Sequence, residues 1–543
     1  GELMEKTQPY YKTTQQYSLN YKNTFNDLHD VEALALWEWK ETNTNWFMAR
    51  RYYSTTSAIP ELDRGDVDNM YNEGNSAVYK YGGLVGRLNY VYAGKYMAEF
   101  SFRYDGSYKT APDKRWGFFP AVSAGWRISE EQFMKDLVPQ MDNLKLRASW
   151  GSIGNDSQLN ASQFVSGWQF EDRFILGGAG NSSASITNGM KEANLANPNI
   201  TWYKVMTTNV GLDGSFWGGK LSFEFDYFYR KTTGYPATRN TSLPTTSGIP
   251  LPQENLNSSD NRGFELSLGT VQRIGNVNLQ IKGNVAYARE KDLYKEQALP
   301  LNQYKNWRDN GAYRWKNVTW GYEHIGQFQS YDEIYNSPIQ DGKGNSSLRP
   351  GDIKYKDLNG DGLIDANDEK VIGKGTFPDL NFGLTLAADW KGFDVNILFQ
   401  GASNYTQVLN ALTSPFRGPG EGNGFRVWMD SWHKADYNDP DSEWVPGKFP
   451  SLRIEGNDNN SKKSTYWTTD AYYVRLKSIE IGYTIPKNLL SKVGIEHLRV
   501  YANAYNPLTI TNVKYTDPEA IEGWQSFYYP QLKVYSFGVN VSF

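Results

Sequence analysis

Between residues 84 and 104 the sequence alternates with a period of two, and one of the two parities carries no charge. Leu84, Gly86, Leu88, Tyr90 and Tyr92 share one parity, and Val85, Arg87, Asn89 and Val91 the other. After Ala93, Gly94 and Lys95 the pattern resumes. Tyr96, Ala98, Phe100, Phe102 and Tyr104 then stand against Met97, Glu99, Ser101 and Arg103. Successive side chains of a strand point to opposite faces, and a short link containing Gly joins two such strands into a hairpin. One face is apolar with aromatic ends, and the other is charged. About ten residues per strand, steeply tilted, cross the hydrocarbon of a bilayer. The stretch reads as one hairpin of a transmembrane β-barrel.

The pattern recurs. Leu144, Leu146, Ala148 and Trp150 alternate with Lys145, Arg147 and Ser149. Leu221, Phe223, Phe225, Tyr227 and Tyr229 alternate with Ser222, Glu224, Asp226 and Phe228. Residues 277–287, 393–399 and 535–543 continue it, and the chain alternates to its terminal Phe543. Over these segments the apolar parity comprises 34 positions, none charged, whereas the 27 interleaved positions hold nine charges. Such a face fits lipid, where Arg or Lys at the midplane costs roughly 2–4 kcal/mol. Leu88, Phe100, Phe225, Ile281 and Val539 are expected to face lipid. Arg87, Glu99, Arg147 and Glu224 are expected to face the lumen.

A soluble sandwich also alternates, so the links decide. Those on one side are short (93–95, 217–220, 391–392); those on the other are long (105–117, 151–204, 231–261, 288–378, 402–470). Short turns on one rim and long loops on the other mark an outer-membrane barrel. The fold class is therefore all-β, an antiparallel transmembrane β-barrel with long extracellular loops. About 14–17 strands can be counted, where large plugged transporters have about 22. In residues 1–60 the phase is poor: 31–39 and 46–53 read as two strands around a polar Thr/Asn link, and 60–75 as a loop. Ser129, Glu130, Glu131 and Gln132 read as a capping box opening a short helix, with a plain turn as the other reading. Near Ser478 the parity slips from Val474 and Leu476 to Ile479, Ile481 and Tyr483, as a β-bulge makes it do.

Composition narrows the function. Mean hydropathy is −0.65, and no run approaches the roughly 18 apolar residues of a membrane helix, but a barrel shows only every second residue to lipid. A formal charge of −4 leaves no basic footprint for nucleic acid. Without cysteine there are no disulfides, thiol nucleophiles or thiolate metal sites. His29, His324, His433 and His497 lack metal or triad spacing, and no pair of carboxylates is set in a cleft, so no enzymatic activity is expected. The first residues are polar rather than an apolar signal segment. The chain is therefore expected to begin after processing or part-way through a longer protein.

Two groups of residues suggest binding. From Asp357 to Asp368 runs a twelve-residue calcium-loop pattern, with oxygens from Asp357, Asn359, Asp361, Asp365 and Asp368, the Leu363 carbonyl, and Gly362 at the sharp turn. Asp stands where Glu is usual at the twelfth position, which shortens the reach. The expected ion is Ca2+ in a structural role; the competing reading is an Asx-rich turn carrying no metal. Trp307, Trp315 and Trp320 crowd one long link and Trp428 and Trp432 another. They are candidates for stacking on substrate, or for packing the loops.

Several segments resemble the SusC/RagA family of TonB-dependent outer-membrane transporters of Bacteroidota. They are Arg87-Leu88-Asn89-Tyr90 with Lys95-Tyr96 and Arg103-Tyr104-Asp105-Gly106-Ser107, and Trp116-Gly117-Phe118-Phe119-Pro120 with Ala124-Gly125-Trp126-Arg127-Ile128. Leu144 to Gly151 with Gly154-Asn155, Pro350-Gly351-Asp352-Ile353, Arg475-Leu476-Lys477 and Asp517-Pro518-Glu519 follow in order. The resemblance implies the C-terminal portion of a large plugged barrel, with the plug and N-terminal domain absent from residues 1–543. The edge strand then needs a preceding segment as its neighbour, and the Phe543 strand looks like the outer-membrane insertion signal. It also implies an importer of oligosaccharides or peptides, working with a SusD-like surface lipoprotein. Energy would come from TonB–ExbB–ExbD through the missing N-terminal part. A passive porin and a surface glycan-binding or adhesin protein are the rival readings. Outer-membrane lipid is the expected surrounding.

Overall fold

The computed structural model describes residues 2–53, 61–176, 185–239, 251–298, 302–413, 424–453, 458–490, 494–520, 529 and 531–543. Among these, 17 strands form one antiparallel sheet. β1 (Glu2–Thr7) and β2 (Tyr10–Phe25) lie end to end along β3 (His29–Tyr52), with Pro9 between them. The ladder continues through β4 (Tyr71–Tyr92), β5 (Tyr96–Ser107), β6 (Trp116–Arg127) and β7 (Met141–Asn155). Next come β8 (Tyr203–Phe216), β9 (Leu221–Thr238), β10 (Gln253–Ile274) and β11 (Val277–Tyr294). β12 (Leu380–Trp390), β13 (Phe393–Val408), β14 (Thr468–Thr484), β15 (His497–Thr511) and β16 (Val534–Ser542) complete it. The two-residue strand Arg314–Trp315 adds to β11. Among the described residues β1 and β2 pair only with β3, and β16 only with β15, so the sheet is open between them. Every residue of β2 is exposed.

Register confirms the two faces. Leu212, Phe225, Leu266, Val285, Phe382, Gly401, Val474 and Ile510 stand directly opposite one another across eight strands, an unbroken uncharged row. Leu88 pairs with Phe100 on the same outward parity, and Val539 stays 59% exposed with no protein over it. Aromatics bound this band at both ends: Phe393 and Tyr483 (4.5 Å) near the short turns, Phe264 and Tyr287 (5.9 Å) toward the long loops.

The short turns share one geometry. Asn26 and Asp27 (φ 51° and 53°), Ala93 and Gly94 (52° and 67°) and Lys391 and Gly392 (46° and 91°) place two successive residues in the left-handed region. That twist matches the right-handed twist of the flanking strands. The expected bulge is present: Leu398 faces Ser478 and Phe399 faces Leu476, leaving Lys477 unpaired. Opposite it, β15 slips between Leu508 and Tyr505, past Asn506 (φ 50°) and Pro507. A bulge is where a strand tolerates a residue without an N–H.

Two sequence expectations are corrected. Residues 31–53 do not form two strands around a link, because β3 is one strand of 24 residues. Thr42, Asn43, Thr44 and Asn45 pair with β2 or β4, or both. Outside the hydrocarbon a strand needs backbone partners but no apolar parity, so polar runs continue it. The segment after β6 has no capping box either. The helix Gln132–Leu137 is capped at Glu131 without a side-chain cap bond, and the Ser129 hydroxyl is buried with no partner. The Glu131 carboxylate instead accepts from Tyr96, Trp126 and Lys95 on the barrel wall.

The buried core lies in the loops. The β11–β12 and β13–β14 connections fold together into one lobe, in which Ile353, Tyr355 and Ile364 of the first pack with Leu409, Leu412, Trp428, Phe449 and Trp467 of the second. Backbone bonds stitch the halves, Tyr322 N to Lys463 O (2.9 Å) and Thr465 N to Tyr322 O (3.0 Å). Phe225→Arg should cost the barrel roughly 2–4 kcal/mol or block its assembly. Glu224→Gln, one residue away on the lumen face, should be near neutral. Urea unfolding in bilayers compares them, and equal effects would refute the assignment of faces.

Candidate functional site

The lumen wall carries ion networks that span adjacent strands. Arg147 on β7 binds Asp213 on β8 in a bidentate pair (2.6 and 2.7 Å) and reaches Asp226 on β9 (3.0 and 3.1 Å). It reaches across because residue 211 on the strand between is Gly: a Cβ there would stand 2.7 Å from the guanidinium and 2.6 Å from Asp226. Arg499 on β15 repeats the arrangement over Gly482, binding Asp394 (3.0 Å) and Glu480 (2.7 Å). Arg87 lies between Glu32 (3.5 Å) and Glu99 (3.6 Å). Bidentate guanidinium pairs fix geometry as well as charge. Much of the lumen charge is thus internally matched.

The segments that carry the family resemblance meet in space. Arg475, 3% exposed, holds Asp517 (2.9 Å), Glu519 and Gln531. Tyr473 donates to Glu519 (2.8 Å), and Tyr405 to the Pro518 carbonyl (2.7 Å). These contacts draw the connection after β15 onto the inner wall. Phe119 is 4% exposed, with its ring where a Cβ on Gly154 would stand, and it meets Trp202 edge-on (5.5 Å). Ser107 and Tyr81 (2.6 Å) both donate to Asp156.

At the long-loop rim a cavity of about 940 Å3 opens between the lumen wall and the 308–320 segment, lined by Tyr203, Arg230, Tyr235, Asp292, Arg314 and Trp320, among others. Lys316 binds Glu290 (2.6 Å) and Asp292 (3.2 Å) there. Extending the alternation of 221–229 and 277–287 past the aromatic girdle points to Arg230, Glu290 and Asp292. Arg314 comes from the two-residue strand added to β11 within the long connection, where no such alternation signals it.

The structure separates the five tryptophans. Trp320 borders the cavity, and Trp307, 55% exposed, packs edge-on against it (5.8 Å). Trp315 also borders it, but its ring lies 4.4 Å from the Arg289 guanidinium on the outward parity. Trp428 and Trp432 do not form a platform: each is 5% exposed. Trp428 packs on Phe449 and Trp467 inside the lobe, and Trp432 covers Gly351 and donates to Gln327 (3.3 Å). In them the loop-packing reading prevails.

The 357–368 loop takes its turn at Gly362 (φ 80°). Asp357 accepts from Gly360 N (2.7 Å) and Gly362 N (2.9 Å). Burial raises its carboxyl, but these amides more than offset that and hold it below the usual range. Asn359 accepts from Asp361 N and Asp361 from Leu363 N, each at 2.9 Å. Asp365 accepts from Asn367 N (2.7 Å). Asp368 is fully buried and accepts from Leu358 N and Asp365 N, closing a capping box with Asp365. Among the described residues no three acidic side chains converge as a ligand set.

Beside this loop, Asp341 accepts from Lys343 N, Asn345 N, and the amide and hydroxyl of Ser347. Burial pushes its carboxyl up, yet Ser347 and these amides hold it at about 2. A depressed carboxyl contributes stability above its unfolded value near 4, lost as pH falls toward 2. Asp341→Asn should therefore weaken the lobe at neutral pH, by lobe tryptophan fluorescence, and the deficit should vanish near pH 2. A deficit unchanged by pH would refute this. Gly211→Ala should cost roughly 1–3 kcal/mol by crowding the Arg147 network, read by urea unfolding.

Comparison with known proteins agrees with the geometry. Residues 4–507 match the family model described as TonB dependent receptor-like, beta-barrel. TonB-dependent receptor P3 of Formosa agariphila is 28% identical over 99% of this chain and 53% of its own length. TonB-dependent receptor SusC of Bacteroides thetaiotaomicron is 26% identical over 84% of this chain and 43% of its own. The chain thus spans about half the length of these curated relatives. The RagAB peptide importer in its open-open state superposes with a TM-score of 0.75 at 22% identity, covering 100% of this chain and 56% of that one. The family model covers most of the chain, and its barrel description fits the strand ladder with an uncharged outward row and a polar lumen wall: the chain belongs to the TonB-dependent receptor-like β-barrels of the outer membrane.

Proposed function

We propose that this chain is the greater part of the wall of an active importer that takes up peptides or oligosaccharides. The observation that carries this is the rim cavity, lined by aromatic rings and by charges of both signs, at the mouth of a polar lumen. Relatives named SusC and TonB-dependent receptor, and the fold shared with a peptide importer, support it. The open edges at β2 and β16 would be joined by further strands of a longer protein, because unpaired strand edges do not persist in hydrocarbon. That longer protein would also supply a plug, which the lumen charges hold, and the contact to TonB–ExbB–ExbD. A SusD-like lipoprotein would close over the loop rim and trap substrate before TonB opens the path inward.

Affinity purification of the protein from solubilised outer membranes should recover a lipoprotein in near-equal amount, and deletion of TonB should abolish uptake. A barrel that comes alone, with uptake unchanged after TonB deletion, would make it a passive pore. We also propose that the 357–368 loop binds calcium through Asp357, Asn359, Asp361, Asp365 and the Leu363 carbonyl. The spacing of these oxygens and the Gly362 turn support it; Asp368, buried in its cap, would serve the fold of the loop. Titration calorimetry should show a Ca2+ site that Asp357→Asn and Asp361→Asn remove, and the absence of heat would refute it.

A further inference from the structure

The outward face changes character just beyond the aromatic girdle on the long-loop side. Above the row of Tyr227, Phe264 and Tyr287 come Tyr229, Arg262 and Arg289, and above these Lys231, Asp260 and Lys291. All continue the parity that is uncharged further down. Tyr229 lies eight residues from the short turn at Leu221. At roughly 3.3 Å per residue and a tilt near 40° this is a height of about 20 Å. The cationic rows thus stand where hydrocarbon gives way to headgroups.

Four cations meet two carboxylates here. Arg262 binds Asp260 (2.6 and 3.2 Å), which is 1% exposed, and Arg289 lies 3.6 Å from Asp379. Among the described residues no carboxylate stands within ion-pair distance of Lys231 or Lys291. Trp315 is the hub: Arg289, Arg262 and Lys291 lie 4.4, 5.7 and 5.9 Å from its ring. The ring holds them as a set while the Arg262 side chain stays 40% exposed. Arg262, Arg289, Lys231 and Lys291 continue the parity that faces lipid further down, while Trp315 stands between this face and the rim cavity it also borders.

We propose that this cluster binds the phosphate of an anionic lipid headgroup in the outer leaflet. Guanidinium groups take phosphate in a bidentate fork, and the lysines add point charges. Tyr229 and Trp315 give the lipid an aromatic wall at the level where such rings favour the interface. The patch is a local positive excess on a chain of net negative charge, so it is not a by-product of composition.

The test uses the protein purified in detergent from outer membranes, incubated with phosphorylated lipid A or with the same lipid after phosphatase treatment, and read by native mass spectrometry. Wild type should retain the phosphorylated lipid. Lys231→Gln/Lys291→Gln should bind it about 30-fold more weakly, since each basic group near such a surface contributes about a factor of five. The dephosphorylated lipid should bind wild type as weakly. Heat-modifiable mobility in gels checks that the variant folds, and if it does not, the single variants and the two lipids on wild type still decide. Equal retention of both lipids by wild type, or of the phosphorylated lipid by wild type and folded variant, overturns the proposal.

Discussion

A peptide group inside hydrocarbon has no water to bond with, so every N–H and C=O in the spanning region must find a partner in the protein. The rest of this structure follows from that. It forces strands into one continuous ladder, and the ladder forces side chains to alternate between lipid and lumen. The row from Leu212 to Ile510 is uncharged because no alternative placement exists once eight strands share a register. The bulge at Lys477 is the same constraint at a single residue: the extra position is left out of the pairing so that Val474, Leu476, Ile479 and Ile481 all keep to the outside.

Glycine has a different use on each face. On the lumen side Gly211 and Gly482 make room for Arg147 and Arg499 to reach carboxylates on neighbouring strands. On the outer side Gly86, Gly214 and Gly401 lie under the rings of Phe102, Phe223 and Phe382. In both cases a missing side chain on one strand is filled by a large one from the next. That closes the wall without a conventional core.

The sequence was legible where one physical rule acts on consecutive residues. Alternation, the short left-handed turns and the bulge are all of that kind, and so was the asymmetry of loop lengths. It was not legible where the deciding partner is remote. Trp428 and Trp320 are the same residue type in similar company, yet one meets Phe449 and Trp467 and the other a cavity; only the folded loops distinguish them. Arg475 and Asp517 lie 42 residues apart, and their pairing follows no local period. The Ser129 capping box failed because the helix begins only at Gln132, with Glu131 and not Ser129 at its N-cap, and Glu131 is held by Tyr96 on β5 and Trp126 on β6.

The lobe has a consequence for how such proteins diversify. Its core is shared between two insertions, one between β11 and β12 and the other between β13 and β14, with the β12–β13 hairpin separating them in sequence. The first insertion has a small core of its own in Phe328, Ile334 and Leu348, but in the shared core Tyr355 and Ile364 need Trp428 and Trp467, which in turn need them. Recombination that exchanged one insertion for a relative's would leave half an apolar core facing water. Exchange of one insertion alone breaks this shared core, so the two behave as a paired module carrying the hairpin between, and not loop by loop.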